Sequence, residues 1–286
     1  MKILILGSTG FLGSYLKKYF SRRKDLKLIE SSRDDYIFRD KKIYLSSSLR
    51  EKLSLADICI NCIANTNFIS CENEKSPSTA NILIPQEICR HATNENYFIH
   101  FSSDIFYEDV NNNSNEDSKL TLNNAYAEQK KLSEEIFLNA NSIILRTSFL
   151  GFSARNSGLF NSVLNSINYD KEIEGWSNVF SSSVSIHNIF ELIDFLLLKN
   201  IRLNGIYNFG TLEPYSKYNY ISELLKKFNK EKLLKKISFS PSKISRNLNS
   251  GMVSDKISNE TDFKLPSFGD VIANSHKELN KLVIKK

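Results

Sequence analysis

The chain opens with a short apolar run, Lys2-Ile3-Leu4-Ile5-Leu6, that breaks at once into Gly7-Ser8-Thr9-Gly10-Phe11-Leu12-Gly13. An almost wholly apolar run of this length suits a strand covered on both faces. Beyond the glycines, Leu12, Tyr15, Leu16, Tyr19 and Phe20 recur at helical spacing and form one stripe of an amphipathic helix. Residues 26–29 then read as a second strand. Strand, turn, helix and strand within thirty residues open an α/β fold with a parallel sheet. Glycines suit the turn for three reasons: the tight bend, the close approach of backbone to a pyrophosphate, and the packing of helix on strand. The phosphates would lie against the positive end of the helix that follows. Three glycines in an ordinary turn are the competing reading, and the flanking strand and helix argue against it.

The same alternation continues. Strands are predicted at 58–64, 97–102 and 143–148, with helices around 79–91 and 126–139. Residues 109–124 are polar and Asn-rich and read as a surface loop. After Ser148 the texture changes, with helical stretches at 159–168, 186–198 and 220–228 and a short strand at 205–209. The expected architecture is a Rossmann-type doubly wound parallel sheet built from 1–148 and 184–209. A smaller C-terminal substrate lobe, 149–183 plus 210–286, completes it.

Composition narrows the function classes. With 286 residues, 41% hydrophobic and 24% charged, the chain can bury a core without disulfides or metal. A net charge of +6 is mild and makes no case for nucleic-acid binding. No uncharged apolar run reaches the roughly 18 residues of a membrane span. Residues 1–6 mimic the start of a signal peptide, but no small-residue cleavage site follows. A cytoplasmic protein without membrane insertion is therefore expected. Cys59 and Cys62 have CxxC spacing but sit in an apolar run, where a buried strand is the natural reading. Neither the cysteines nor the four histidines offer a zinc ligand set, so no metal is implied. From Tyr215 to Lys256 there are ten Lys or Arg against three Asp or Glu. Some of these could hold a substrate diphosphate, and a solvated helix face accounts for any one of them more simply.

Chemistry enters with Tyr126-Ala-Glu-Gln-Lys130, a Y-x-x-x-K pattern on a predicted helix. Residues four apart share a helix face. A phenol titrates near 10 in water, and a nearby ammonium favours its phenolate. By itself this pair is common on solvated helices. Its weight comes from Phe101-Ser102-Ser103-Asp104 at the end of an apolar strand, where a hydroxyl can hydrogen-bond a carbonyl oxygen gaining charge.

Glycine turn, strand-end Ser103, Tyr126 and Lys130, in that order, resemble the extended short-chain dehydrogenase/reductase superfamily over nearly the whole chain. Within it the pattern is most similar to the dTDP-4-dehydrorhamnose reductase group, which reduces 4-keto sugar nucleotides. Residues 61–66, 102–106, 126–134 and 146–148 carry that similarity. The resemblance implies Ser103, Tyr126 and Lys130 as the catalytic three. Tyr126 would protonate the carbonyl oxygen, and Lys130 would bond the nicotinamide ribose. It implies Gly7, Thr9, Gly10, Phe11, Leu12 and Gly13 around the pyrophosphate, and Ile63, Ala64 and Asn65 along the cofactor. Tyr126 and Lys130 would also contact the cofactor. Ser103, Asp104 and Phe149 would face a small-molecule nucleotide-sugar substrate, and a homodimer is compatible with it.

Departures sharpen the reading. Members commonly carry an Asp near the third strand, where this chain reads Tyr44-Leu45-Ser46. Phe149 stands where the group often has Trp, and Ser103 where it often has Thr. Related 4,6-dehydratases follow the hydroxyl residue with Asp-Glu, and Ile105 removes the Glu. Related epimerase-reductases have Cys at the place of Asp104. A plain reductase is favoured. NADP(H) is the expected cofactor, with NAD(H) the rival: Glu30 is read as still within the second strand, leaving Arg33 for a 2′-phosphate. The alternatives are an epimerase that retains its cofactor and a non-catalytic dinucleotide-binding subunit. The intact Ser103, Tyr126 and Lys130 argue against the second.

Overall fold

The computed structural model describes residues 1–74, 78–240 and 247–284. The chain divides into two compact units. The first contains Met1–Ser103, Leu122–Arg146 and Asn200–Tyr207. Its elements are β1 (Lys2–Leu6), α1 (Phe11–Phe20), β2 (Lys27–Glu30), β3 (Tyr36–Arg39), β4 (Lys42–Leu45), α2 (Ser47–Leu55) and β5 (Ile58–Asn61). Then follow α3 (Phe68–Asn73), α4 (Ile84–His91), β6 (Tyr97–Phe101), α5 (Ala125–Leu138) and β7 (Ser142–Arg146).

A six-stranded sheet runs in the order strand Gly205–Asn208, β7, β6, β5, β1, β2. From β2 to β7 every neighbouring pair is parallel. Chain order reverses at β1, which has β2 on one side and β5 on the other. The crevice outside the carboxyl ends of strands at such a reversal is where open α/β sheets bind ligands. This is the Rossmann-type parallel sheet that the alternating pattern predicts. The ribbon β3–β4 is antiparallel and lies outside the six-stranded sheet. Asp40 and Lys41, both at positive φ, make its turn.

Strand composition follows from burial. Leu4, Leu6, Cys59, Phe98 and Ile144 pack with Leu49 and Leu53 of α2, Ile88 of α4 and Phe137 of α5. Ile3 and Ile5, on the opposite face of β1, are also buried. Covered on both sides, the strand has no reason to alternate polar with apolar. Cys59 belongs to this core as a small hydrophobe, and burial pushes its thiol up to about 12. Cys62 lies one residue beyond β5, and burial raises its thiol as well.

The second unit contains Asp104–Thr121, Thr147–Lys199 and Asn208–Lys286. Three helices form its core: Leu159–Tyr169 gives Phe160, Val163 and Ile167, Lys217–Lys227 gives Tyr220 and Leu224, and Phe268–Leu282 gives Val271 and Leu279. Short strands brace it, among them Phe149–Leu150 against Val184–Ser185 and Ile173–Trp176 against Leu234–Ile237. Residues 104–121 and 184–199, which the sequence reading groups with the first half, pack here. Asn247 donates to the Ile105 carbonyl at 2.8 Å, and Ser114 bridges Met252. With these segments the second unit is no smaller than the first. Lys243 and Arg246 of the basic stretch lie outside the described residues. No helix among the described residues is long and apolar enough to cross a membrane.

Candidate active site

The glycine turn is built by contacts that only glycine allows. Gly7 sits at φ 78, and a Cβ there would meet the Ile63 side chain at 2.9 Å. A Cβ on Gly13 would lie 2.2 Å from the Gly7 carbonyl oxygen, so the first turn of α1 rests directly on the end of β1. Gly10 donates its N–H to that same oxygen at 2.9 Å and caps α1 without a side-chain bond, and no acidic residue occupies the first turn. A helix start of this kind leaves backbone N–H groups and the positive dipole end for an anion. The cradle fits a pyrophosphate, with Thr9, Phe11 and Leu12 in the same turn.

The end of β2 is sewn onto this turn by Ser31. Gly7 N–H and the Tyr36 hydroxyl both donate to Ser31 Oγ, at 3.1 and 3.0 Å, and Ser8 Oγ donates to the Ser31 carbonyl at 3.2 Å. Glu30 is the last residue of β2, and its carboxylate pairs with Lys17 of α1 at 2.9 Å. Arg33 is exposed at the start of the short turn Arg33–Asp35. Asp35 anchors that turn: it accepts from Ser46 Oγ at 2.8 Å and pairs with Lys52 at 2.9 Å. Burial opposes its charge, yet the Ser32 N–H, Lys52 and Ser46 outweigh that and hold its carboxyl below the usual range. Ser46, in the stretch where relatives commonly carry an Asp, caps α2 and donates to a carboxylate from the neighbouring turn.

Beyond β5, Ile63 abuts Gly7 and its N–H is held by Asn61 Oδ1 at 3.2 Å. Asn65 is clasped by Asn81, which accepts its N–H at 2.9 Å and donates to its carbonyl at 3.0 Å. Asn81 also donates to Gln129 of α5 at 2.7 Å. It sits in a π-helical turn, Thr79–Leu83, that leads into α4. The helix predicted over 79–91 is therefore π-wound at its start. Ala64 lies exposed between Ile63 and Asn65.

The Y-x-x-x-K pair falls on the first turns of α5, which Asn124 caps by accepting the Ala127 N–H at 2.9 Å. Tyr126 is buried, with its ring 5.1 Å from that of Phe68. Lys130 is 2% exposed and donates to the Phe101 carbonyl at 2.7 Å. That bond fixes the Tyr126–Lys130 face of α5 against the strand end carrying Ser103, itself buried. Burial lowers the Lys130 ammonium to about 8, against the opposing pull of Glu134. A hydroxyl, a phenol and an ammonium are the kinds of group that can bind a carbonyl oxygen and deliver a proton to it.

Asp104 and Phe149 belong to the second unit. Asp104 is buried, accepts from Ser250 Oγ at 3.2 Å, and is pushed up from the usual carboxylate range by burial. Phe149 is half-buried at the start of its two-residue strand. Among the described residues no cluster of His, Cys, Asp or Glu is placed to hold a metal ion.

The RmlD substrate binding domain family matches residues 1–281. The chain belongs to this family. Solved structures similar to this RmlD-family chain include a dTDP-4-dehydrorhamnose reductase from Yersinia enterocolitica, at 20% identity and TM-score 0.79 over 99% of both chains. A dTDP-4-dehydrorhamnose reductase from Bacillus anthracis, in complex with NADP, is 16% identical over 98% of both chains, with TM-score 0.79. A UDP-glucuronic acid 4-epimerase from Bacillus cereus, in complex with UDP-glucuronic acid and NAD, is 17% identical over 99% of this chain and 100% of its own, with TM-score 0.77. No curated protein matches the chain by sequence.

Several residues that shape this RmlD-family site escape a reading of the sequence. Ser31, Asn81, Gln129 and His100 act through long-range bonds that no local pattern announces. His100 joins Asn61 at 3.0 Å and Ser133 at 3.2 Å and stacks on Phe137. Burial, reinforced by the Lys130 charge, holds it well below the usual imidazole range, so it bridges β5 to α5 as a neutral ring.

Proposed function

We propose that the chain is an NADP(H)-dependent reductase of a nucleotide-linked 4-keto-6-deoxy sugar, acting in the cytoplasm in the synthesis of cell-surface polysaccharide precursors. The observation that supports this reading best is the 2.7 Å bond from Lys130, on the helix that carries Tyr126, to the carbonyl of Phe101, two residues before Ser103. Family membership and the dTDP-4-dehydrorhamnose reductases of similar fold support it.

In this reading Gly7, Thr9, Gly10, Phe11, Leu12 and Gly13 hold the pyrophosphate, and Ile63, Ala64 and Asn65 line the cofactor. Arg33 binds the 2′-phosphate. Pairing of Glu30 with Lys17 supports that choice, because it engages the carboxylate that would otherwise repel the phosphate. A dihydronicotinamide held there would supply the hydride. Ser103 hydrogen-bonds the carbonyl oxygen and Tyr126 protonates it, while Lys130 bonds the ribose and keeps positive charge beneath the phenol. Asp104 and Phe149 contact the sugar.

Incubation with NADPH and a panel of 4-keto sugar nucleotides tests the reading, followed by absorbance of the reduced nicotinamide. Loss of the band with one nucleotide sugar is the expected result. A second reading, a cofactor-retaining epimerase, draws on the similar fold of the UDP-glucuronic acid 4-epimerase. It predicts a converted sugar with no net loss of NADPH.

A further inference from the structure

Beneath Lys130 lies an ion pair that the proposed chemistry does not use. Glu134 is 0% and Arg146 2% exposed. Arg146 donates to both carboxylate oxygens, Nε to Oε1 and Nη2 to Oε2, each at 2.8 Å. Ser102 Oγ donates to the same carboxylate at 2.6 Å, and the Ser102 N–H donates to the Leu145 carbonyl at 2.7 Å. Glu134 is one turn beyond Lys130 on α5. Arg146 ends β7, and Ser102 immediately precedes Ser103. The carboxylate thus joins the helix carrying Tyr126 and Lys130 to the strand ends around Ser103.

We propose that Glu134, oriented by Arg146, is the positioning residue of the catalytic set: it fixes Ser102–Ser103 against α5 and supplies the counter-charge that lets the Lys130 ammonium stay buried. The inference rests on the proposed role of Lys130. Burying an isolated ammonium is costly and drives it toward the neutral amine. Glu134, one turn along α5, favours the Lys130 ammonium, and His100 on β6 feels the Lys130 charge in turn. His100 is neutral, so Glu134 provides the negative charge. Burial works against the ammonium and Glu134 works for it, with Arg146 and Ser102 holding the carboxylate in place.

Loss of the Glu134 charge must therefore lower the Lys130 midpoint even where the shape of the side chain is kept, which a purely structural brace would not do. The test follows the ε-methylene resonance of Lys130 by NMR in protein with isotope-labelled lysine, assigned by its loss in Lys130→Met, as pH is varied. In the native protein the midpoint should lie near 8. Glu134→Gln, which keeps the shape of the carboxylate, should lower it by about 1–2 pH units, and Glu134→Asp, which keeps the charge, should leave it closer to the native value. No movement in Glu134→Gln, or an equal fall in both variants, overturns the proposal. If Glu134→Gln does not fold, a midpoint in Glu134→Asp lowered by about 1 pH unit or more overturns it. A native Lys130 that is already neutral at pH 7 overturns it without any variant. Because the readout needs no turnover, a correct titration without NADPH oxidation would fault the reductase reading and leave the ion-pair inference standing.

Discussion

The Lys130 ammonium meets the Phe101 carbonyl oxygen at 2.7 Å, two residues before Ser103, and this bond aligns α5 with the end of β6. A charged Lys130 is what both the ribose contact and the proton donor require. Its ammonium is lowered by burial to about 8, so turnover should hold steady below that pH and fall as pH rises through it. Stability should run the other way. Between about 8 and the ordinary value of 10.5 the unfolded chain binds the extra proton, so this group adds stability as pH climbs through that window. A pH profile of kcat beside thermal unfolding at the same pH values checks both signs.

Tyr126→Phe removes the proton donor and keeps the ring that packs near Phe68. General acid help is typically worth about 10²–10⁴ in rate, and kcat should drop by at least that much with NADPH affinity nearly intact. Lys130→Met should lose both kcat and cofactor affinity, because one side chain serves both. Ser103→Ala should act mainly on kcat. Steady-state kinetics with fluorescence titration of NADPH separate the three outcomes.

Gly13→Ala places a Cβ 2.2 Å from the Gly7 carbonyl oxygen. Backbone cannot yield there as a flexible side chain would, so the turn must open. A loss of roughly 1–3 kcal/mol in stability is expected from such overpacking, together with loss of dinucleotide binding. Gly10→Ala, whose Cβ would lie 3.2 Å from the same oxygen, should be milder. Unfolding midpoints and cofactor titrations of the two variants make the comparison.

Asp35 ties the turn after β2 to Ser46 and Lys52, and its carboxyl titrates below the ordinary 3.8. Its contribution is full above 3.8 and fades as pH falls through the lower folded value. Asp35→Asn should be destabilised at neutral pH, and its deficit against the parent should narrow in acid. A deficit independent of pH would contradict the assignment.

Arg33→Ala should lose NADPH affinity and keep affinity for NADH, since only the former has a 2′-phosphate to bind. Equal losses for the two cofactors would return the choice to NAD(H). Titration of both cofactors against parent and variant decides it.

The central sheet was legible because burial on both faces writes itself into β1, β5, β6 and β7 as apolar runs. The glycine turn was legible because only glycine tolerates the Gly7–Ile63 and Gly13–Gly7 approaches. The spacing of Tyr126 and Lys130 reads directly from helix geometry. The grouping of 104–121 and 184–199 was not legible, since it depends on partners such as Asn247 and Phe149 that are remote or of ordinary composition. The π-wound start at Thr79–Leu83 was equally hidden: its Asn81 bonds Asn65 and Gln129, and neither partner is near it in sequence. Ser46 shows a third kind of case: its hydroxyl donates to Asp35 of an adjacent turn eleven residues earlier, a bond that no local pattern announces.

The central claim is net delivery of hydride to a sugar carbonyl, and label transfer tests it most directly. NADPH carrying deuterium on the transferable position of the nicotinamide ring is incubated with the protein and the 4-keto sugar nucleotide that consumes it, and the product is read by mass spectrometry and NMR. The account predicts one deuterium at the former keto carbon for each NADPH oxidised, with the transfer abolished or slowed by orders of magnitude in Tyr126→Phe. A product without deuterium, or a sugar converted while NADPH is not consumed, would contradict it.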